Sequence, residues 1–236
     1  MLLLHSIGTT QNIWDAQAQA LAGRFRVIRP DLRGHGLSSV TPGDYTMRQL
    51  ARDALALLDA LGIEKAHVAG TSIGGRIAQQ VAVEAPERVL SLCLLNTALE
   101  FPPRHLAGAD RRGAAGRHAG AGRCGDAALG GGYRPALLPR PALDAAAHRQ
   151  DRLCRRRLRP AGCHRRRCRG AHPGPCTVIA GERDPAAPAE AVAALQAAIP
   201  GAELVVLPGA GHITTYEFAD AVTAQMLAHF DRLGIG

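Results

Sequence analysis

An α/β fold, with a mostly parallel sheet and helices on both of its faces, is what this sequence predicts, and three observations carry the prediction. Short apolar runs alternate with longer segments of helical spacing through residues 1–102. The same rhythm returns over residues 177–236. Most of the apolar runs end in loops that hold Gly, Pro, Asp or Ser, as strands of a parallel sheet do before a crossover helix.

The elements follow in order. Leu2-Leu3-Leu4 is a strand that runs into the loop His5-Ser6-Ile7-Gly8. Trp14 to Leu21 has helical spacing, and Arg26-Val27-Ile28 reads as a strand stopped by Pro30-Asp31. Thr46 to Leu61 is an amphipathic helix with Met47, Leu50, Ala54, Leu57, Leu58 and Leu61 on one face, and Gly62 is placed to end it. Ala66 to Ala69 is a strand, Ser72 to Glu84 a helix closed by Pro86, and Val89 to Leu95 a buried strand. In the tail, Thr177–Ala180 and Leu204–Leu207 are strands, while Pro188 to Ile199 and Phe218 to Leu233 are helices.

The 236 residues suffice for one domain with a full core and at most a small cap. Aromatic residues make up only 3%, so Ala, Leu and Val must fill that core. No apolar run has the length of a membrane span, and the opening Met1-Leu2-Leu3-Leu4 lacks the basic stretch of an export signal. The expected location is the cytoplasm, with no membrane partner. The net charge of +8 is confined to one block: residues 103–176 hold 17 arginines against four aspartates, which leaves the rest of the chain net acidic. The arginine-rich half of the block shows no sustained period of two or 3.6 residues and reads as solvated and disordered chain. The expected division is an N-terminal part of the core at 1–102, an atypical cap region at 103–176 and a C-terminal part of the core at 177–236.

The chemistry centres on Gly70-Thr71-Ser72-Ile73-Gly74-Gly75, between a predicted strand and a predicted helix. A nucleophilic serine needs such a turn: it lifts the hydroxyl above the sheet at a helix start, and small residues two positions either side relieve the crowding. A serine hydroxyl also needs a base, which an acid must orient. On a sheet of this kind the order is Ser, then Asp or Glu, then His. Asp184 follows one tail strand and His212 the next, each past a carboxyl end, where open parallel sheets gather their ligand sites. Glu182 is a rival for the acid, and Asp184 is the better placed. The oxyanion formed on attack needs two donors, expected to be the backbone N–H groups of Ile73 and Ile7. The site calls for no metal and no organic cofactor.

With these residues in hand, the chain resembles the α/β-hydrolase superfamily, and within it the 3-oxoadipate enol-lactonases. The resemblance runs through His5-Ser6-Ile7-Gly8-Thr9, Trp14-Asp15-Ala16-Gln17, Asp31-Leu32-Arg33-Gly34-His35-Gly36-Leu37-Ser38 and Ala85-Pro86-Glu87-Arg88-Val89, and resumes at Ile199-Pro200-Gly201-Ala202. It implies a hydrolase of a carboxylic ester or lactone, 3-oxoadipate enol-lactone above all, acting in aromatic-compound catabolism on a small-molecule substrate. Three features depart from the family. Its opening β-hairpin does not precede Leu2, His5 stands where the lactonases often carry Asn, and Ile213-Thr214-Thr215 follows the general family pattern. The helical cap that the family carries is degenerate over the arginine-rich block.

Other readings are a general carboxylesterase of the same fold and an inactive hydrolase-like protein. A zinc and nucleic-acid reading of the block would use Cys154, Cys163, His164, Cys168, His172 and Cys176. Their spacings match no paired C-x₂-C pattern and no aromatic residues interleave for base stacking, so nucleic acid is not an expected partner. The sequence sets no oligomeric state. Arg, Ala, Gly and Pro share GC-rich codons, so a segment read out of frame in a GC-rich gene accounts for the block. Resequencing the gene should reveal a compensating pair of insertions or deletions around residues 103–176; an intact frame overturns that account.

Overall fold

A computed structural model describes residues 1–99 and 174–235 of the chain. The arginine runs, and the cysteines and histidines from Cys154 to His172, lie outside these residues. Five strands, β1 (Leu2–Leu4), β2 (Ala66–Thr71), β3 (Val89–Leu95), β4 (Cys176–Gly181) and β5 (Glu203–Leu207), form one sheet in chain order. Every pairing between them is parallel. Strands β1, β2 and β4 are buried along their whole length and β3 nearly so, which is why they read as unbroken apolar runs.

The α-helices among the described residues are α1 (Asp15–Leu21), α2 (Met47–Ala60), α3 (Ile73–Glu84), α4 (Ala189–Ala198), α5 (Thr214–Glu217) and α6 (Ala219–Arg232). Alternate strand residues face opposite ways and so divide the core in two. Leu2, Leu4, Val68, Leu92, Leu94, Val178 and Ala180 pack with Leu58 of α2, Ile77 and Val81 of α3, and Leu195 of α4. On the other face Leu3, Ala69, Cys93, Leu95 and Ile179 meet Trp14, Leu21 of α1, and Val222, Met226 and Phe230 of α6. The last three recur every four residues, one turn apart, as a helix stripe requires. At α2 the Thr46 side chain accepts the Gln49 N–H at 3.1 Å, and Gly62 follows with φ +67°, so the helix is bounded as expected.

Three elements differ from the reading of the sequence. Arg26-Val27-Ile28 is no strand. Ile28 makes a single bridge to Leu2, held by Leu3 N–H to Ile28 O at 2.9 Å and Ile28 N–H to Met1 O at 2.8 Å. The ladder stops there, and Pro30 has no N–H with which to extend it. Strand β4 starts at Cys176, assigned to the block by composition, because Cys176 pairs with Leu92 and is buried. Burial pushes its thiol up to about 12. Helix α5 was not anticipated; at four residues it is too short for periodicity to mark it.

The crossing from β2 into α3 is unusually close. A Cβ on Gly70 would lie 2.2 Å from the Gly74 carbonyl oxygen, and a Cβ on Gly74 would lie 2.2 Å from the Leu4 oxygen. Backbone therefore rests on backbone, with no room for a methyl group. Alanine normally stabilises a helix over glycine by about 1 kcal/mol. Here Gly74→Ala should reverse that sign and destabilise the fold by at least about 2 kcal/mol, read as a lowered urea midpoint.

Three buried histidines give a second prediction. His67 Nδ1 and His229 Nε2 both meet Ser91 Oγ, at 2.7 and 2.9 Å, and His229 Nδ1 meets Thr177 Oγ1 at 2.9 Å. Desolvation holds His5 down at about 3 and His67 and His229 at about 4, so all three stay neutral in the folded protein. In the unfolded chain they protonate near the ordinary imidazole value of about 6.5. Protonation thus favours unfolding. Their contribution is complete above about pH 6.5 and is lost as pH falls toward 4, by no more than about 1.4 kcal/mol per pH unit for each. Urea midpoints measured from about pH 7 to pH 5 should fall, and His229→Gln should flatten the dependence.

Candidate active site

Ser72 occupies the turn between β2 and α3 with φ 55° and ψ −117°, a conformation that L-residues avoid. Its surroundings fix it there. The Ser72 N–H donates to Leu95 O at 2.9 Å, and the Thr97 hydroxyl donates to Ser72 O at 2.8 Å. Ser72 is the N-cap of α3, so the helix begins at Ile73. The Ile73 N–H has no acceptor among the described residues and lies at the positive end of the helix.

His212 Nε2 is 2.9 Å from Ser72 Oγ. On the other side of the ring, His212 Nδ1 lies 2.8 Å from Asp184 Oδ2 and 2.9 Å from Oδ1. A carboxylate only accepts, so Nδ1 carries the proton and Nε2 is free to accept from the serine hydroxyl. All three residues are buried. Asp184 is held by donors alone: Oδ1 accepts the N–H groups of Ala186 (2.8 Å) and Ala187 (3.0 Å), and Oδ2 accepts from the Asn96 amide at 3.0 Å. Glu182 is engaged elsewhere, accepting the Gly209 N–H at 2.7 Å.

The loop that carries His212 is clamped by Glu217 of α5. Its carboxylate accepts the N–H of Gly211 at 2.9 Å and that of Ile213 at 3.1 Å, one residue on each side of the histidine. This explains why the unanticipated helix α5 is there. Neither Glu217 nor Asn96 stood out in the sequence. The available signals were a carboxylate five residues after the histidine and a polar Asn ending the apolar run of β3.

Ile7 lies in the loop after β1, and its N–H has no partner among the described residues. The loop is braced by two histidines acting as acceptors. His5 Nδ1 donates to Ser6 O at 2.8 Å while its Nε2 accepts the Leu32 N–H at 2.8 Å, and His35 Nε2 accepts the Gly8 N–H at 3.2 Å. Burial lowers the proton affinity of both rings, which keeps those lone pairs available. Asp31 joins the two loops by accepting the Gln11 and Leu37 N–H groups, each at 2.9 Å. Its carboxylate fills the space beside Gly36 (φ +47°), where a Cβ would lie 2.0 Å from Oδ2. Arg33 pins the loop to α2 through a two-pronged ion pair with Asp53. The motif read as Asp-x-Arg-Gly-His-Gly is thus a brace for the loop that holds Ile7.

Comparison with known proteins bears on the fold and the family. The sequence profile described as alpha/beta hydrolase fold matches residues 1–123, and one described as TAP-like protein matches residues 141–232, beginning upstream of Thr177. A 3-oxoadipate enol-lactonase of Acinetobacter baylyi is 40% identical over 97 residues, 41% of this chain and 36% of that protein. The dihydrolipoyllysine-residue acetyltransferase component of the acetoin cleaving system of Pseudomonas putida is 34% identical over 261 residues, 97% of this chain and 62% of that protein. The chain therefore spans only 36% and 62% of the length of these two relatives. The crystal structure of the enol-lactonase from Burkholderia xenovorans superposes with a TM-score of 0.72 at 28% identity, over 98% of this chain and 90% of that one. No helix among the described residues is long and apolar enough to cross a membrane. With its parallel sheet, its tight strand-to-helix serine turn and a profile match over more than half its length, the chain belongs to the α/β-hydrolase fold family.

Proposed function

We propose that this protein is a serine hydrolase of a carboxylic ester or lactone, with Ser72 as nucleophile, His212 as base and Asp184 as the orienting acid. The observation that carries the reading is the continuous line of short contacts from Ser72 Oγ through His212 to Asp184. His212 Nε2 takes the hydroxyl proton as Ser72 Oγ attacks the acyl carbon. The N–H groups of Ile7 and Ile73 receive the oxyanion, and Asp184 stabilises the imidazolium. Collapse expels the alcohol or enol oxygen, which takes the proton from His212; in a lactone it stays tethered to the acyl group. Water, deprotonated by His212, then releases the acid and frees Ser72.

The substrate favoured by the resemblance is 3-oxoadipate enol-lactone, in aromatic-compound catabolism. A broader carboxylesterase is the second reading, favoured by His5 and by Ile213-Thr214-Thr215, which depart from the lactonase pattern. Comparing p-nitrophenyl acetate with the enol-lactone separates the two: the lactonase reading expects the higher kcat/KM on the lactone.

Ser72→Ala should lower kcat on either substrate by on the order of 10⁴-fold or more. A fluorophosphonate probe should label the folded wild-type protein and leave Ser72→Ala unlabelled. Equal rates for the two proteins would refute the role of Ser72. Folded wild-type protein that neither turns over nor labels would show an inactive scaffold.

A further inference from the structure

We infer that Asn96 is a positioning residue for the acid and the base, a role that rests on the hydrolase reading above. Asn96 immediately follows β3 and is completely buried. Its side chain uses every hydrogen-bonding group it has. The amide nitrogen donates to Asp184 Oδ2 at 3.0 Å and to Gly211 O at 3.0 Å, and the amide oxygen accepts the Thr214 hydroxyl at 2.5 Å. A carboxylate and a carbonyl can only accept, so these partners also fix which way the amide faces.

These contacts join three separate stretches of chain. Asp184 follows β4, Gly211 immediately precedes His212, and Thr214 opens α5. The Asn96 backbone N–H donates to Ile179 O at 2.9 Å, which ties the same residue to β4. A single side chain therefore sets the Asp184 carboxylate and the His212 loop in one frame. Without it, Asp184 Oδ1 would keep its two backbone donors, while Oδ2 would keep only His212. The Gly211 carbonyl would lose its side-chain donor. The imidazole would then be loosened from the carboxylate side and from its own loop together.

By donating to Oδ2 the amide also supplies one of the hydrogen bonds that a buried carboxylate needs.

Asn96 also suits its place in the backbone. Its φ is +47°, and Ser72 is the only other described residue besides glycine with a positive φ. Asparagine tolerates that region, so the residue would suit the turn even if its amide did nothing. Glycine tolerates the turn at least as well. Asn96→Gly therefore keeps the backbone geometry while it removes the side chain that carries the amide.

The test compares wild type, Ser72→Ala, Asn96→Gly and Asn96→Asp on p-nitrophenyl acetate, with thermal unfolding followed in parallel. Asn96→Gly should lower kcat roughly 10- to 100-fold with KM within about twofold. Asn96→Asp should lower kcat less, because two adjacent carboxyl groups share a proton and the protonated one can donate to the other, while the donor to Gly211 is lost. An Asn96→Gly protein with wild-type kcat overturns the positioning role and leaves Asn96 to the turn. If Asn96→Gly does not fold, Asn96→Asp decides: a wild-type kcat overturns the role. Ser72→Ala that keeps wild-type activity defeats the hydrolase reading itself; an inactive Ser72→Ala beside unaffected Asn96 variants defeats only this inference.

Discussion

Direct contact between backbones, where the first turn of α3 rests on the ends of β1 and β2, governs the geometry of everything around it. Gly70 and Gly74 leave no side chain between these segments, and the Gly74 position lies against the carbonyls of both Leu4 and His5. A side-chain contact could relax by changing rotamer; this one cannot. The spacing between the Ser72 turn and the loop of Ile7 is accordingly set by van der Waals contact between backbones. The positive φ of Ser72 is sustained by the same crowding, together with the hydrogen bonds from Ser72 to Leu95 and from Thr97 to Ser72.

Around that fixed point the structure uses histidine in two ways. His212 faces a carboxylate on one side and a hydroxyl on the other, the setting of a group that exchanges a proton. His5 and His35 are held neutral by burial and spend ring nitrogens as acceptors for backbone N–H groups. Their work is finished once the loop is shaped. Protonating either would turn an acceptor toward a donor and break the brace. The buried Asp184 is the complement: it is surrounded by donors, so that a charge in a dry setting has its hydrogen bonds supplied.

Much of this is legible in the sequence alone. Continuous apolar runs mark the buried parallel strands, and strand-to-helix context singles out Ser72 from the five serines of the chain. Asp184 and His212 follow from chain order, and the structure sets His212 beside Ser72 and Asp184 beside His212. The gaps have physical causes. Val27-Ile28 has strand composition, yet a ladder needs a partner as well as a propensity, and only Met1 to Leu3 lie beside it. Glu217 acts on Gly211 and Ile213 from a helix of four residues, too short to show a period, and Asn96 acts on segments distant in sequence, so no local pattern reveals either. Asn96 sits 88 residues from Asp184 and 115 from Gly211, a separation that only folding closes.

The pairing of β3 with β4 has a further consequence. These neighbours are joined through a long connection, because Leu95 ends one strand and Cys176 begins the other. The entropic cost of closing such a connection rises only with the logarithm of its length, about 0.6 kcal/mol for each doubling. The proposed nucleophile lies before the connection, and the proposed acid and base lie after it. A long connection between the two strands is therefore cheap to close, and the sheet register that brings the proposed nucleophile together with the proposed acid and base depends only weakly on its length.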